Sequence, residues 1–137
     1  MKIGIIYWSG TGNTEAMAKA IAEGVESAGV QAEVINISDG EPDISAFDKC
    51  MYGCPAMGAE ELEEAEFAPF WESIKGKLAG KEIALFGSYE WADGEWMDTW
   101  KQDAEAAGAK VHTLIAYDKP DAEAVQKCKD LGASFAK

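Results

Sequence analysis

Three short segments of this 137-residue chain hold residues whose types and spacing suit them to chemistry. The first is Ser9-Gly10-Thr11-Gly12-Asn13-Thr14-Glu15, which follows an apolar run and leads straight into a helical period. Its glycines let successive backbone amides converge on one point, and the helix N-terminus behind them adds partial positive charge. Ser9, Thr11, Asn13 and Thr14 contribute short donors that lose little side-chain entropy on ordering. Such a loop is suited to cradling an anion with neutral groups alone. It is not a nucleotide-hydrolysing loop, because no Gly-Lys-Ser/Thr follows, and it lacks the third glycine of a dinucleotide fingerprint. Asn36 stands where a ribose-binding acid belongs at the end of a second strand. The plainer use of the same residues is a tight strand-to-helix turn capped by Thr14.

The second segment is Cys54-Pro55-Ala56-Met57-Gly58-Ala59-Glu60-Glu61. Its Met-Gly pair sets a polarizable apolar side chain beside a peptide that rotates freely, unless the segment is only a reverse turn with an apolar flank. The third is Gly87-Ser88-Tyr89-Glu90-Trp91-Ala92-Asp93-Gly94-Glu95-Trp96. An indole in so acidic a loop either folds back onto the next helix or covers a flat ring, which gains about 1 kcal/mol beyond area burial.

Composition narrows the occupants. Acidic residues number 25 against 12 basic ones, for a formal net charge of −13, and all the basic residues are lysine. That surface repels nucleic acid and anionic membrane, and favours basic protein partners. No apolar run approaches the roughly 20 residues of a membrane span. Met1 to Trp8 is a short apolar stretch ending in Ser-Gly-Thr-Gly rather than the charged-then-apolar run of a secretory leader, and three cysteines do not make a disulfide framework, so the expected compartment is the cytoplasm. A single histidine, His112, disfavours a His-built metal centre or a Ser-His-Asp triad.

The elements that must position these loops alternate in type. Ile3, Ile5, Ile6 and Tyr7 form a first strand; Met17, Ala18, Ile21, Val25 and Ala28 mark a helix that Gly29 closes. Ala32 to Ile37 read as a second strand and Lys49 to Gly53 as a third. Phe67, Phe70, Trp71, Ile74 and Leu78 mark a helix stopped by Gly80, and Ile83 to Phe86 a fourth strand. Trp96, Trp100, Ala104 and Ala107 line a helix ended by Gly108, followed by a fifth strand through Val111, Leu114 and Ile115. Asp121 caps a last helix carrying Val125, Cys128, Leu131 and Phe135 inward. Nearly continuous apolar strands between helices imply a single α/β domain, residues 1–137, with a doubly wound five-stranded parallel sheet and helices on both faces. Ligands in such sheets bind at the carboxyl ends of the strands, where all three segments lie. The strand order does not follow from the pattern.

Ser9-Gly-Thr-Gly-Asn-Thr14, Cys54-Pro-Ala-Met-Gly58 and Leu85-Phe-Gly-Ser-Tyr89 with Trp91 together resemble the flavodoxins, of the short-chain kind from anaerobic bacteria. The resemblance runs from residue 1 to the end and implies FMN, held tightly but not covalently. Ser9, Gly10, Thr11, Gly12, Asn13 and Thr14 would hold the 5′-phosphate without any cationic side chain, with Ser88 as a further contact. Pro55, Ala56, Met57, Gly58, Ala59 and Glu60 would border one side of the flavin, and Tyr89, Glu90 and Trp91 the other. Met57 and Trp91 would cover its faces, Glu60 would accept from N3–H, and a flip of the Gly58–Ala59 peptide would favour the semiquinone. The implied function is a low-potential one-electron carrier working mainly between semiquinone and hydroquinone, a monomer rather than a substrate-converting enzyme, serving basic-surfaced reductases and acceptors. The family usually reads Tyr-Gly-Trp-Gly where this chain has Tyr89-Glu90-Trp91-Ala92, which places Glu90 toward the pyrimidine edge.

The alternative within the same architecture is an FMN-dependent NAD(P)H:quinone-type reductase, which needs room for a second planar molecule where Trp91 would stack. A phospho-receiver would need paired acids after strand one, and Tyr7-Trp8 stands there. Among the remaining residues, Glu60, Glu61, Glu63, Glu64 and Glu66 read as a solvated helix start that also attracts basic partners. Cys50 and Cys54 have the spacing to share a strand face, but three cysteines fall short of the four thiolates an iron–sulfur cluster usually takes. Cys128 reads as a small core residue and His112 as structural. Trp8 either walls the first loop or packs on the sheet.

Overall fold

A computed structural model describes residues 1–10, 12–57, 62–90 and 94–136. The elements are β1 (Lys2–Tyr7), α1 (Asn13–Ser27), β2 (Gln31–Asn36), β3 (Lys49–Gly53), α2 (Phe67–Ile74), β4 (Glu82–Tyr89), α3 (Glu95–Ala106), β5 (Lys110–Tyr117) and α4 (Ala122–Phe135). The strands make one parallel sheet in the order β2-β1-β3-β4-β5.

Alternation along the central strands splits the core into two layers. Ile3, Ile5 and Tyr7 of β1 join Met51, Ala84 and Phe86 under α1 and α4, against Met17, Ile21, Val25, Cys128 and Phe135. Ile6, Tyr52, Ile83 and Leu85 face the other way, against Phe67, Phe70 and Trp71 of α2 and Trp96 and Trp100 of α3. Phe67, Trp71 and Trp100 meet edge to face, with ring centroids 5.5 and 5.6 Å apart. Helices α1 and α4 touch backbone to backbone. A Cβ on Gly24 would stand 2.0 Å from the Lys129 carbonyl oxygen, and one on Gly132 would stand 2.1 Å from that of Ile21.

Three expectations shift in the structure. The edge strands β2 and β5 are not continuously buried, because each has only one neighbour; Val34 and Ile115 are part-exposed and Tyr117 is two-thirds exposed. Strand β2 stops at Asn36, whose side chain accepts from Ser38 N and turns Ile37–Asp39 into a short 3₁₀ turn. Helix α2 ends at Ile74 and tightens into a 3₁₀ turn, Lys75–Lys77, where Gly76 weakens the α-helix; Leu78 stays fully buried beyond it. Asp121 caps α4 as expected, accepting from Ala124 N at 2.8 Å.

Candidate functional site

Strand order reverses between β1 and β3, and in sheets of this kind the carboxyl ends of the two strands flanking that point border the crevice where ligands bind. The first loop starts α1 with Gly12 as its N-cap, at φ +93°, where a side chain would be strained. Ser9 Oγ accepts from the backbone N–H of Gly12 at 3.1 Å and of Glu15 at 3.3 Å, which pins the loop from inside. Ser9, rather than Thr14, is therefore the side chain that serves the turn. Thr14 is buried and points across the crevice. Its hydroxyl is hydrogen-bonded to that of Ser88 at 3.2 Å, and Ser88 N donates to Thr14 Oγ1 at 3.3 Å.

The second loop continues the β3–β4 ladder past the strand. Cys54 N donates to Phe86 O at 3.1 Å and Ala56 N to Ser88 O at 3.0 Å. Trp96 Nε1 donates to Cys54 O at 3.2 Å. Gly87 makes this approach possible, since a Cβ there would lie 2.2 Å from Cys54 O. Pro55, Ala56 and Met57 thus leave the sheet beside Ser88, each half-buried. Tyr89 packs against the rings of Trp96 and Tyr117, at 5.9 and 5.5 Å, and Glu90 is exposed. Ser9, Gly10, Gly12, Asn13, Thr14, Pro55, Ala56 and Ser88 accordingly belong to one end of the sheet around the Thr14–Ser88 contact. Thr11, Gly58, Ala59, Glu60, Glu61, Trp91, Ala92 and Asp93 lie outside the described residues.

The acidic run before α2 departs from the expected solvated helix start. Glu63 is 6% exposed, and its carboxylate accepts from the backbone N–H of Ala65, Glu66 and Phe67 at 2.7, 2.8 and 2.9 Å. These bonds satisfy amides that the helix itself cannot pair. Glu63 N in turn donates to Cys54 Sγ at 3.4 Å, tying the second loop to the start of α2. Glu66 Oε1 accepts from Trp8 Nε1 at 3.1 Å and from Ser38 Oγ at 3.0 Å. Trp8 does both things considered for it: it packs on the α2–α3 layer, and its ring edge lies 3.1 Å from where a Cβ on Gly10 would stand. The signal missed in the sequence was an acid four residues before Phe67, the first residue of an apolar helix face.

The segments that border this end of the sheet are acidic in sequence. Segments 8–16, 53–66 and 87–96 contain no lysine, while Glu15, Glu63, Glu64, Glu66, Glu90 and Glu95 all lie in them. Tyr7 donates to Glu15 Oε2 at 2.7 Å; burial, reinforced by this carboxylate, pushes the phenol up to about 12, and the bond holds Glu15 below the usual carboxylate range. Burial pushes the Cys54 thiol up to about 12, so it stays protonated. Cys50 and Cys54 do share the α2–α3 face and are free thiols, and no cluster suited to a metal occurs among the described residues. His112 pairs with Glu82 at 3.0 Å at the opposite end of the sheet.

Fold and loops together define a doubly wound parallel α/β protein whose glycine-containing strand-to-helix segment lies at the switch point, in the strand order that flavodoxin-like folds share. A family profile described as flavodoxin matches residues 5–135. Over 135 residues the chain is 48% identical to the flavodoxin of Megasphaera elsdenii, covering 97% of each sequence. It is 47% identical to that of Clostridium beijerinckii, covering 96% of this chain and 97% of the relative. The solution structure of two-electron reduced Megasphaera elsdenii flavodoxin superposes with a TM-score of 0.86 at 45% identity, over 98% of both chains. The chain belongs to the flavodoxin family, whose members bind FMN. The residues present fit that group. A phosphate needs several convergent donors and close backbone approach, which the glycine loop, the start of α1 and the buried Thr14–Ser88 hydroxyl pair supply.

Proposed function

We propose that the chain is a low-potential one-electron carrier that binds FMN tightly without a covalent link and alternates mainly between its one-electron-reduced and fully reduced states. Family membership supports the carrier reading, and one observation carries the finer statement: a cradle of neutral donors set among carboxylates with no lysine in any of its segments. FMN supplies the electron-accepting ring. Ser9, Gly10, Thr11, Gly12, Asn13, Thr14 and Ser88 hold the phosphate; Pro55, Ala56, Met57, Gly58, Ala59 and Glu60 border the ring on one side, and Tyr89, Glu90 and Trp91 on the other. Each carboxylate near the ring opposes added negative charge, by about 1 kcal/mol after screening, so the second electron enters at low potential. The site needs no acid–base residue, because the chain tunes and presents the ring rather than converting a substrate.

The same acidic rim selects partners with basic docking faces, and the net charge of −13 speeds their encounter at low salt. The chain acts as a monomer of one domain, residues 1–137, in the cytoplasm; no helix among the described residues is long and apolar enough to cross a membrane. Two assays test the reading. Apoprotein titrated with FMN and with riboflavin should bind FMN far more tightly, and the loaded protein should not oxidise NAD(P)H without a separate reductase. Equal affinity for the two flavins would remove the phosphate cradle, and steady NAD(P)H oxidation by the pure protein would favour a reductase.

A further inference from the structure

The contacts before α2 form a continuous chain between loops that are far apart in sequence. Cys54 Sγ, on the second loop, accepts from Glu63 N; the Glu63 carboxylate holds the backbone N–H of Glu66; and Glu66 Oε1 accepts from both Trp8 Nε1 and Ser38 Oγ. Ser38 belongs to the turn after β2, fastened by Asn36. Trp8 belongs to the first loop, and its six-membered ring lies against Gly10, with Cη2 and Cζ3 at 3.1 and 3.3 Å from an added Cβ. One carboxylate oxygen therefore joins the loops after β1, β2 and β3.

We propose that Glu66 is a positioning residue for phosphate binding: it fixes the Trp8 ring as the support beneath Gly10, and so sets the backbone at Gly10 without touching the ligand. The inference rests on the FMN reading above. The charge of Glu66 works against a phosphate dianion, whereas its hydrogen bonds work for one, and the two effects separate by substitution. Glu66→Gln keeps an Oε1 acceptor at the same reach and removes the charge. Glu66→Asp keeps the charge but is one methylene too short. Glu66→Ala removes both. All three change an exposed side chain, and the backbone N–H of Glu66 stays bonded to Glu63.

The test measures FMN and riboflavin dissociation constants for the wild type and the three variants. For two exposed hydrogen bonds the expected rise in the FMN constant is roughly three- to tenfold in Glu66→Asp and Glu66→Ala. Glu66→Gln should bind FMN at least as tightly as the wild type, and the riboflavin constants should stay level throughout. A second readout needs no flavin. The Trp8 indole N–H resonance in the apoprotein should shift in Asp and Ala and remain near its wild-type position in Gln. Wild type without preference for FMN over riboflavin would defeat the parent reading. A wild type that prefers FMN, with Asp and Gln variants alike or with riboflavin weakened as much as FMN, would overturn the role of Glu66 alone.

Discussion

Replacing Glu63 by glutamine probes the buried end of the same network and has a magnitude that follows from its geometry. Oε1 accepts from Ala65 N, while Oε2 accepts from both Glu66 N and Phe67 N. A carboxamide has only one acceptor oxygen. If that oxygen takes the place of Oε2, the NH₂ group faces the Ala65 N–H, donor to donor; the opposite orientation sets it against two. The favourable orientation thus loses one charge-assisted bond and weakens two, in a side chain that is 6% exposed. The expected loss is about 2 kcal/mol of folding free energy for Glu63→Gln and about 3 kcal/mol for Glu63→Ala, which leaves all three amides to water that cannot reach them easily. Urea unfolding followed by tryptophan fluorescence measures both, with Glu64→Gln, at an exposed position, as the control. The midpoint should fall with an unchanged slope in the Glu63 variants and stay put in the control. A Glu63→Gln protein within about 0.5 kcal/mol of the parent would refute the assignment of this carboxylate as the cap that organises the start of α2.

Other expectations follow from the same geometry. Gly24→Ala forces a methyl group against the Lys129 carbonyl and should cost about 2 kcal/mol by urea unfolding, because α1 and α4 must separate. Thr14→Val removes the acceptor of Ser88 N and should weaken FMN roughly tenfold while leaving riboflavin unchanged, by the same titration pair. Tyr7 has a folded value raised to about 12 from 10.0, so its stabilising contribution is complete below pH 10 and is lost as pH rises toward 12; alkaline difference absorbance should show Tyr7 titrating late, with Tyr52, which burial raises further, later still, and Tyr7→Phe should move the Glu15 carboxyl back up toward its ordinary range. Burial raises all three thiols, to about 12 for Cys54 and about 11 for Cys128, and a thiol reagent should label them only after unfolding.

Much of this architecture is legible in the sequence because it rests on short-range rules. Periodicity reveals the helices, Gly29 and Gly108 mark the ends of α1 and α3, and the glycine loop announces itself by sitting between an apolar strand and a helix. The rest depends on contacts that no local pattern encodes. Strand order sets which strands become edges, and although β2 and β5 carry more polar residues (Gln31, Glu33 and Asn36; Lys110, His112 and Thr113) than β1 or β3, that polarity alone does not say which strands pair. Glu63 and Glu64 are the same residue type side by side, yet one is a buried cap and the other is exposed. What separates them is contact: Glu63 N donates to Cys54 Sγ and the Glu63 carboxylate takes the amides of Ala65, Glu66 and Phe67, whereas Glu64 faces solvent. Likewise Trp8 and Glu66 are bonded across 58 positions, and neither has a neighbour in sequence that points to the pairing. Tyr89 belongs to a binding motif by position, while its ring spends its surface on Trp96 and Tyr117.

On the function proposed above, a cradle of neutral donors among carboxylates makes this chain a low-potential one-electron carrier. A reductive titration of the FMN-loaded protein, followed by visible absorbance against dyes of known potential, tests it most directly. Two separate steps are expected, with a long-wavelength band of the half-reduced flavin accumulating first and fading only at a potential well below that of free FMN. A single two-electron bleaching, or a second step no lower than that of free FMN, would contradict it.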